Sequence, residues 1–119
     1  MKPKYHFFNN AKFAFEGLLA MLKNEMAFKI ELMIILPALI LSLFLPLSLE
    51  IHLILIAVLF LILILECVNS AIEASIDLIT QEFKPLAKVA KDCASASVLL
   101  SVILALSVWS AVLLNLIFD

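Results

Sequence analysis

The sequence contains one glycine, two cysteines and no arginine, and each scarcity excludes a class of site. A single glycine, Gly17, cannot build a glycine-rich phosphate loop, so a Walker-type or protein-kinase-type nucleotide site is excluded. Cys67 and Cys93 provide neither a disulfide framework nor the spacing of a metal site. We interpret both cysteines as small apolar packing residues. All eight cationic side chains are lysines, and their positions indicate how the chain is oriented in a membrane.

Apolar residues are abundant instead. They make up 66% of the 119 positions, and the mean hydropathy is +1.21. Soluble domains are about 45–50% apolar, so the composition predicts an integral membrane protein. Its apolar stretches are each about long enough to cross 30 Å of hydrocarbon. We therefore expect a single, all-α membrane domain with three transmembrane helices, over 27–49, 51–70 and 94–118.

Two further segments complete the predicted fold. Residues 1–24 have the 3-4-3-4 apolar spacing of an amphipathic helix that lies on a membrane surface. The second span is predicted to continue as a helix to about residue 81, and residues 82–93 to form a cytoplasmic loop. The serines and alanines of the third span predict close helix packing and favour a homo-oligomer.

The lysines lie before or at the start of span one and between spans two and three. None lies between spans one and two, or after span three. By the positive-inside rule, the N-terminus and the 82–93 loop are expected to be cytoplasmic and the C-terminus to lie outside.

The second span ends in a polar stripe. Glu66, Asn69, Glu73 and Asp77 are spaced to share one helix face. A carboxylate at the centre of a membrane helix costs roughly 2.5 to 3.5 kcal/mol even on lenient scales, which indicates that these acids form a site. Glu66 is predicted about one turn inside the cytoplasmic edge of the hydrocarbon and Glu73 about one turn outside it. That depth favours chemistry between a lipid headgroup and a water-soluble reactant over transport through the midplane.

Other polar groups are expected at the same level. Glu25 stands at the start of span one and, with Glu73, could hold a hard cation such as Mg²⁺. Lys84, Lys88 and Lys91 approach from the other side, next to Asp92, and could neutralise phosphate charge.

Simpler interpretations stay open for each group. Glu66 could be a structural carboxylate paired across a subunit interface, Glu25 could be a solvated charge, and the lysines could form a patch for anionic lipids. The residues alone therefore predict interfacial chemistry that is metal-assisted, or phosphate binding.

A resemblance narrows this prediction. The string Glu66-x-x-Asn69-Ser70-Ala71-Ile72-Glu73, followed by Asp77 and by Ala90-Lys91-Asp92, resembles the signature of the small prokaryotic diacylglycerol kinases. Asn24-Glu25-x-Ala27-Phe28 with Glu31 is similar to the first block of that family. The resemblance covers nearly the whole chain.

The resemblance implies a homotrimer that phosphorylates diacylglycerol with MgATP at the cytoplasmic face of the bacterial inner membrane, without a nucleic-acid partner. It implies Glu66 as general base and Asn69, Lys91 and Asp92 as further catalytic groups. Glu25 and Glu73 are implied as metal ligands. The implied ATP contacts are His6, Phe13, Glu25, Glu73, Glu82, Phe83, Lys84, Lys91 and Asp92. The implied lipid contacts are Phe15, Ala27, Phe28, Glu31, Glu66, Ser95 and Trp109.

The sequence departs from the family pattern at two implied ATP contacts. His6 stands where relatives have an arginine, and Phe13 where they have a tyrosine. The segment Lys84-Pro85-Leu86-Ala87-Lys88 is more similar to relatives that phosphorylate undecaprenol, so an undecaprenol kinase is the alternative within the family. From other classes, a small ion-coupled transport subunit using Glu66 and a non-catalytic assembly factor are the competing hypotheses.

Overall fold

The computed structural model describes Lys4 and residues 6–119, which form an all-helical chain. The helices are α1 (Phe7–Asn24), α2 (Met26–Leu43), α3 (Leu49–Ile79) and α4 (Pro85–Phe118). By length and composition, α2, α3 and α4 can each cross a membrane. This confirms the all-α class and the three long apolar helices. The first residues of the predicted segment 1–24, namely 1–3 and 5, lie outside the described part.

The first apolar helix is shorter than predicted, because α2 ends at Leu43 rather than at residue 49. Pro46 lacks the backbone N–H that a continuing helix needs and biases Leu45 away from helical geometry. The chain then turns, and Ser48 starts α3 by accepting a hydrogen bond from the Ile51 N–H at 3.4 Å. Serine is a favoured N-cap for this reason.

The segment 82–93, expected as a loop, is helical from Pro85 onward. Lys84 is extended (φ −133°, ψ 132°), as the residue before a proline prefers. Proline is well suited to the first position of a helix, where its missing N–H has no partner to lose. The polar composition of this segment therefore belongs to the first turns of α4 rather than to a loop.

Two of the helices are much longer than a bilayer core. At 1.5 Å per residue, the 31 residues of α3 span about 46 Å and the 34 residues of α4 about 51 Å, against about 30 Å of hydrocarbon. The polar residues lie at the carboxyl end of α3 and the amino end of α4, which the short segment 80–84 joins. These two ends therefore form a helical hairpin beyond the apolar part of the bundle.

The apolar core lies where α2, α3 and α4 meet. Its buried members are Ile35, Val58, Leu59, Ile62 and Ala105. The most extensive helix contact is between α3 and α4, and the small buried residues of α4, Ala94, Ser101 and Ala105, permit close packing there. The Trp109 indole N–H donates to the Leu55 carbonyl at 3.2 Å, which ties the two helices in the half of the bundle away from the hairpin.

Candidate active site

A pocket of about 420 Å³ lies in the hairpin, between the end of α3, the segment 80–84 and the start of α4. Its walls carry both signs of charge and one aromatic ring. They are formed by Ile76, Asp77, Thr80, Gln81, Glu82, Phe83, Lys84, Ala87, Lys88, Lys91 and Asp92. The structure thus brings together five residues that the sequence analysis had assigned to the nucleotide: Glu82, Phe83, Lys84, Lys91 and Asp92.

Ion pairs organise the walls of this pocket. Lys91 Nζ lies 2.6 Å from Asp77 Oδ1 across the hairpin, and Lys88 Nζ lies 2.5 Å from Asp92 Oδ2 along α4. The Gln81 side chain donates to the Asp77 carbonyl at 2.7 Å and closes the end of α3. Because these pairs are largely exposed, each contributes about 0–1 kcal/mol to stability. The lysines can therefore exchange their carboxylate partners for phosphate oxygens at little cost.

Asn69 and Glu73 form the next level of the site, one turn apart on α3. The Asn69 amide donates to Glu73 Oε1 at 2.6 Å. Asn69 is buried, whereas Glu73 is exposed, so the amide fixes the direction of a solvent-facing carboxylate. Asn69 Oδ1 is also buried and has no hydrogen-bond partner within the described residues. It is available to a donor such as a hydroxyl group.

Glu25 is held in place by a break of one residue between α1 and α2. Its backbone is extended (φ −107°, ψ 106°), and its N–H donates to the Met21 carbonyl at 3.0 Å. A pocket of about 390 Å³ joins this break to Cys67, Ser70 and Ala71 of α3. Glu25 therefore lies at a level of α3 between Glu66 and Glu73.

The donor set fits a hard cation only in part. Among the described residues, no group of three or more His, Cys, Asp or Glu side chains could enclose a metal ion. Mg²⁺ is commonly held by one or two carboxylates together with waters and substrate phosphates. The exposed carboxylate of Glu73 and the half-buried Glu25 suit that second kind of site.

Glu66 lies deeper, two turns before Glu73 on α3, and is only 6% exposed. The carboxyl group of Glu31, on α2, lies close to it. Glu31 Oε1 is buried and has no hydrogen-bond donor in the described part of the chain. Among the described residues, Glu66 is the most deeply buried acid, whereas Glu31 is half-buried.

An apolar groove leads away from this pair. It has a volume of about 320 Å³, lies between α2, α3 and α4, and has Glu31 as its one charged lining residue. Trp109 lines the far part of the groove. Its partner Leu55 precedes Glu66 by eleven residues, which is about 16 Å along α3. Trp109 is therefore remote from the carboxyl pair and reaches it only along the groove.

Several other predicted site residues do not line the three pockets described above. His6, Phe13 and Phe15 are exposed on or next to α1, and Ala27 and Ser95 are also exposed, whereas Phe28 is buried. Sequence reasoning had missed the approach of Cys67 and Ser70 to Glu25. The spacing of Ser70 one turn after Glu66 was the available signal, because such residues lie on neighbouring parts of one helix face.

Known proteins are similar to this chain over the helices that form the site. A family model described as prokaryotic diacylglycerol kinase matches residues 12–113. A diacylglycerol kinase of Escherichia coli (strain K12) is 37% identical over 103 residues, which cover 87% of this chain and 84% of that protein. A diacylglycerol kinase of Haemophilus influenzae is 37% identical over 108 residues, 91% of this chain and 92% of that protein. One of Helicobacter pylori (strain J99) is 44% identical over 54 residues, 45% and 42% of the two chains.

Proposed function

The chain belongs to the prokaryotic diacylglycerol kinase family, and from this premise we propose that it phosphorylates the hydroxyl of diacylglycerol with MgATP. The observation that carries this proposal is the order of groups along α3. Buried Glu66 is followed by the Asn69–Glu73 pair and then by the charged pocket at Asp77. One helix therefore presents a site to the lipid and a site to a water-soluble nucleotide.

On the nucleotide side, ATP occupies the hairpin pocket. Lys91 and Lys84 face its phosphates, and Asp92 holds Lys88 beside them. Phe83 offers an exposed ring for the base. Glu82 lies in the same segment. His6 and Phe13 lie outside this pocket in the chain and are proposed as further ATP contacts from α1.

Mg²⁺, when bound, offsets the negative charge of the phosphates. Glu73 and Glu25 would hold it, since each offers a carboxylate at the level between the buried base and the pocket. Asn69 keeps the Glu73 carboxylate turned toward that level.

On the lipid side, Glu66 takes the proton of the substrate hydroxyl as that oxygen attacks the γ-phosphorus. The transfer is direct and in-line, without a phosphorylated enzyme. The apolar groove from Glu31 to Trp109 supports an acyl chain near the base. Phe15, Ala27, Phe28 and Ser95 contribute further apolar or small surface at the interface between membrane and water.

Assembly and placement complete the proposal. The protein is a homotrimer in the bacterial inner membrane, with its N-terminus and hairpin in the cytoplasm and its C-terminus outside. The lysines of α1 and the hairpin support this orientation by the positive-inside rule. The largely exposed α1 lies as an amphipathic helix on the membrane surface and is available to a neighbouring subunit.

One assay tests the function. Purified protein in mixed micelles is given labelled ATP and either diacylglycerol or undecaprenol. Labelled phosphatidic acid is the expected product. Labelled undecaprenyl phosphate alone would favour the alternative within the family, and no lipid product with either substrate would contradict a lipid kinase.

A further inference from the structure

A cleft of about 390 Å³ lies between α1 and α3 and has Glu25 at one end. It is open space rather than a packed helix contact. A methyl group added at Gly17, on the α1 wall, would meet nothing within 4 Å beyond the backbone of its own helix. The α3 wall is formed by Cys67, Ser70 and Ala71. The proposed metal site uses only the Glu25 end of this cleft, so the rest of it is left for another molecule.

Ser70 supplies the hydroxyl group of the α3 wall. The other three buried or half-buried serines, Ser42, Ser97 and Ser101, each donate a hydrogen bond to the carbonyl three residues earlier. Such bonds are a common way for a helical serine to satisfy its hydroxyl. Ser70 is half-buried and makes no hydrogen bond with the described residues. Its donor is therefore free for a molecule in the cleft.

The position of Ser70 relates the cleft to the proposed base. Ser70 lies one turn of α3 beyond Glu66, and residues four apart on a helix have Cβ atoms about 5–6 Å apart. A molecule with a hydroxyl group and a nearby hydrogen-bond acceptor can therefore contact both side chains at once. In the proposed orientation, this turn of α3 lies at the cytoplasmic edge of the hydrocarbon. The ester groups of membrane lipids lie at the same level.

We propose that Ser70 donates a hydrogen bond to an ester carbonyl of the lipid substrate and thereby selects a glycerolipid over a polyprenol. The inference rests on the proposed kinase function, with Glu66 as the base for the lipid hydroxyl. Diacylglycerol carries ester carbonyls close to its hydroxyl, and a carbonyl oxygen accepts hydrogen bonds. A polyprenol is hydrocarbon up to its hydroxyl. It would leave the Ser70 donor unpaired in a half-buried cleft, which disfavours its binding.

The size and lining of the cleft suit this part of a lipid. Its volume falls within the range of about 300–1,000 Å³ that is typical of small-molecule sites. Such sites combine mostly apolar walls with a few polar groups that fix the orientation of the ligand. Here the α1 wall is formed mainly by small or apolar residues, and Ser70 faces them from α3. The glycerol ester region can therefore enter between the two helices.

A matched pair of substrates tests the hydrogen bond. Dioctanoylglycerol is compared with dioctylglycerol, a diether that has the same hydroxyl and chain length but no carbonyl. The wild-type protein should phosphorylate the diester with a kcat/KM about three- to tenfold higher, the effect of one neutral hydrogen bond. Ser70→Ala should lower kcat/KM for the diester by the same factor and leave the diether unchanged. A loss for both lipids, or for neither, would overturn the inference.

Control variants separate the ester contact from other roles of Ser70. Ser70→Thr keeps a hydroxyl and should retain the preference for the diester. Ser75→Ala should also retain it, because Ser75 is exposed on the same helix and its hydroxyl already donates to the Ala71 carbonyl at 2.8 Å. The KM for ATP and the Mg²⁺ requirement should not change in Ser70→Ala. A change in either would assign Ser70 to the nucleotide or metal and overturn the ester contact.

A second variant tests the cleft from its other wall. Gly17→Leu fills open space and replaces a poor helix former, so α1 should still fold. It should raise the KM for both lipids without changing the KM for ATP. An altered oligomer size with an unchanged KM for lipid would instead assign the cleft to a contact between subunits and overturn the inference.

The two proposals fail in different ways. If the wild-type protein phosphorylates the diester and the diether equally well, the role of Ser70 is wrong and the kinase function stands. If it phosphorylates neither glycerolipid, the proposed diacylglycerol kinase function is wrong, and the role of Ser70 is overturned with it.

Discussion

Lys91 and Asp77 form an ion pair, with Nζ and Oδ1 2.6 Å apart, that closes the helical hairpin above the apolar bundle. The two residues are separated in sequence by the end of α3, the segment 80–84 and the start of α4. Both side chains line the hairpin pocket. The pair therefore fixes the position of a lysine that, in the proposed function, faces the transferring phosphate.

Changes at the two members of this pair should have unequal effects. Lys91→Gln removes the charge that stabilises the transferring phosphate and should lower kcat about 10²–10³-fold. Asp77→Asn frees the lysine but leaves its charge, so kcat should fall less than about tenfold and stability by about 1 kcal/mol or less. Initial rates and thermal denaturation in the same detergent measure both effects. A larger kinetic loss in Asp77→Asn than in Lys91→Gln would contradict this order.

Glu66→Gln should abolish nearly all turnover while the protein still folds. The substitution keeps the size of the side chain but removes the basic oxygen, and loss of a general base typically costs about 10²–10⁴-fold. Phosphorylation rates in mixed micelles measure the loss, with Glu50→Gln as a matched control on the same helix. Normal oligomer size and thermal stability should accompany the loss. A stability defect with near-normal turnover would instead favour a structural clamp.

Glu73→Gln should raise the concentration of Mg²⁺ needed for half-maximal rate. An amide binds a hard cation more weakly than a carboxylate does. The new glutamine keeps an amide oxygen, so Asn69 can still donate its hydrogen bond and hold the side chain in place. The rate is measured as a function of Mg²⁺ at fixed ATP. Glu16→Gln is a suitable control. Glu16 is exposed on α1, and its ion pair with Lys12 is long, at 4.0 Å. An unchanged metal requirement would count against Glu73 as a ligand.

Most of the fold could be predicted from the apolar composition and from the positions of the prolines. Three long apolar stretches predicted three long apolar helices, and the structure confirms this. The helix ends differed from prediction where local rules competed with hydropathy. Pro46 ends the first helix early although apolar residues continue, and Pro85 starts the last helix within a polar segment that hydropathy had marked as a loop.

For the candidate site, the sequence predicted which residues share a face of one helix, but not which residues of different helices lie close together. The spacing of Asn69 and Glu73 predicted a shared face, and the structure joins them by a hydrogen bond. The meeting of Glu31 with Glu66 was not predictable, because it depends on the rotation of α2 against α3. Spacing within one helix does not determine that rotation, which is set by side-chain packing such as that of Ile35. The assigned chemical roles remain predictions.

The close packing of α4 on α3 can be tested with a matched pair of serines. Ser101 is buried on α4, with its hydroxyl bonded to the Val98 carbonyl at 2.7 Å. Ser107 makes a similar bond, to the Ile103 carbonyl at 2.8 Å, but is exposed. Ser101→Leu should destabilise the protein by about 1–3 kcal/mol, because extra methylenes in a packed interface force the helices apart.

Separation of α3 and α4 should also change the shape of the hairpin pocket. The same two helices form the walls of its pocket, so Ser101→Leu should raise the KM for ATP as well as lower the temperature of unfolding. Ser107 lies about one and two-thirds turns further along α4 and is exposed. Ser107→Leu should therefore change neither the KM for ATP nor the temperature of unfolding appreciably. Thermal unfolding and ATP titration of both variants in the same micelles make the comparison. Equal effects of the two substitutions would mean that the α3–α4 contact does not position the pocket.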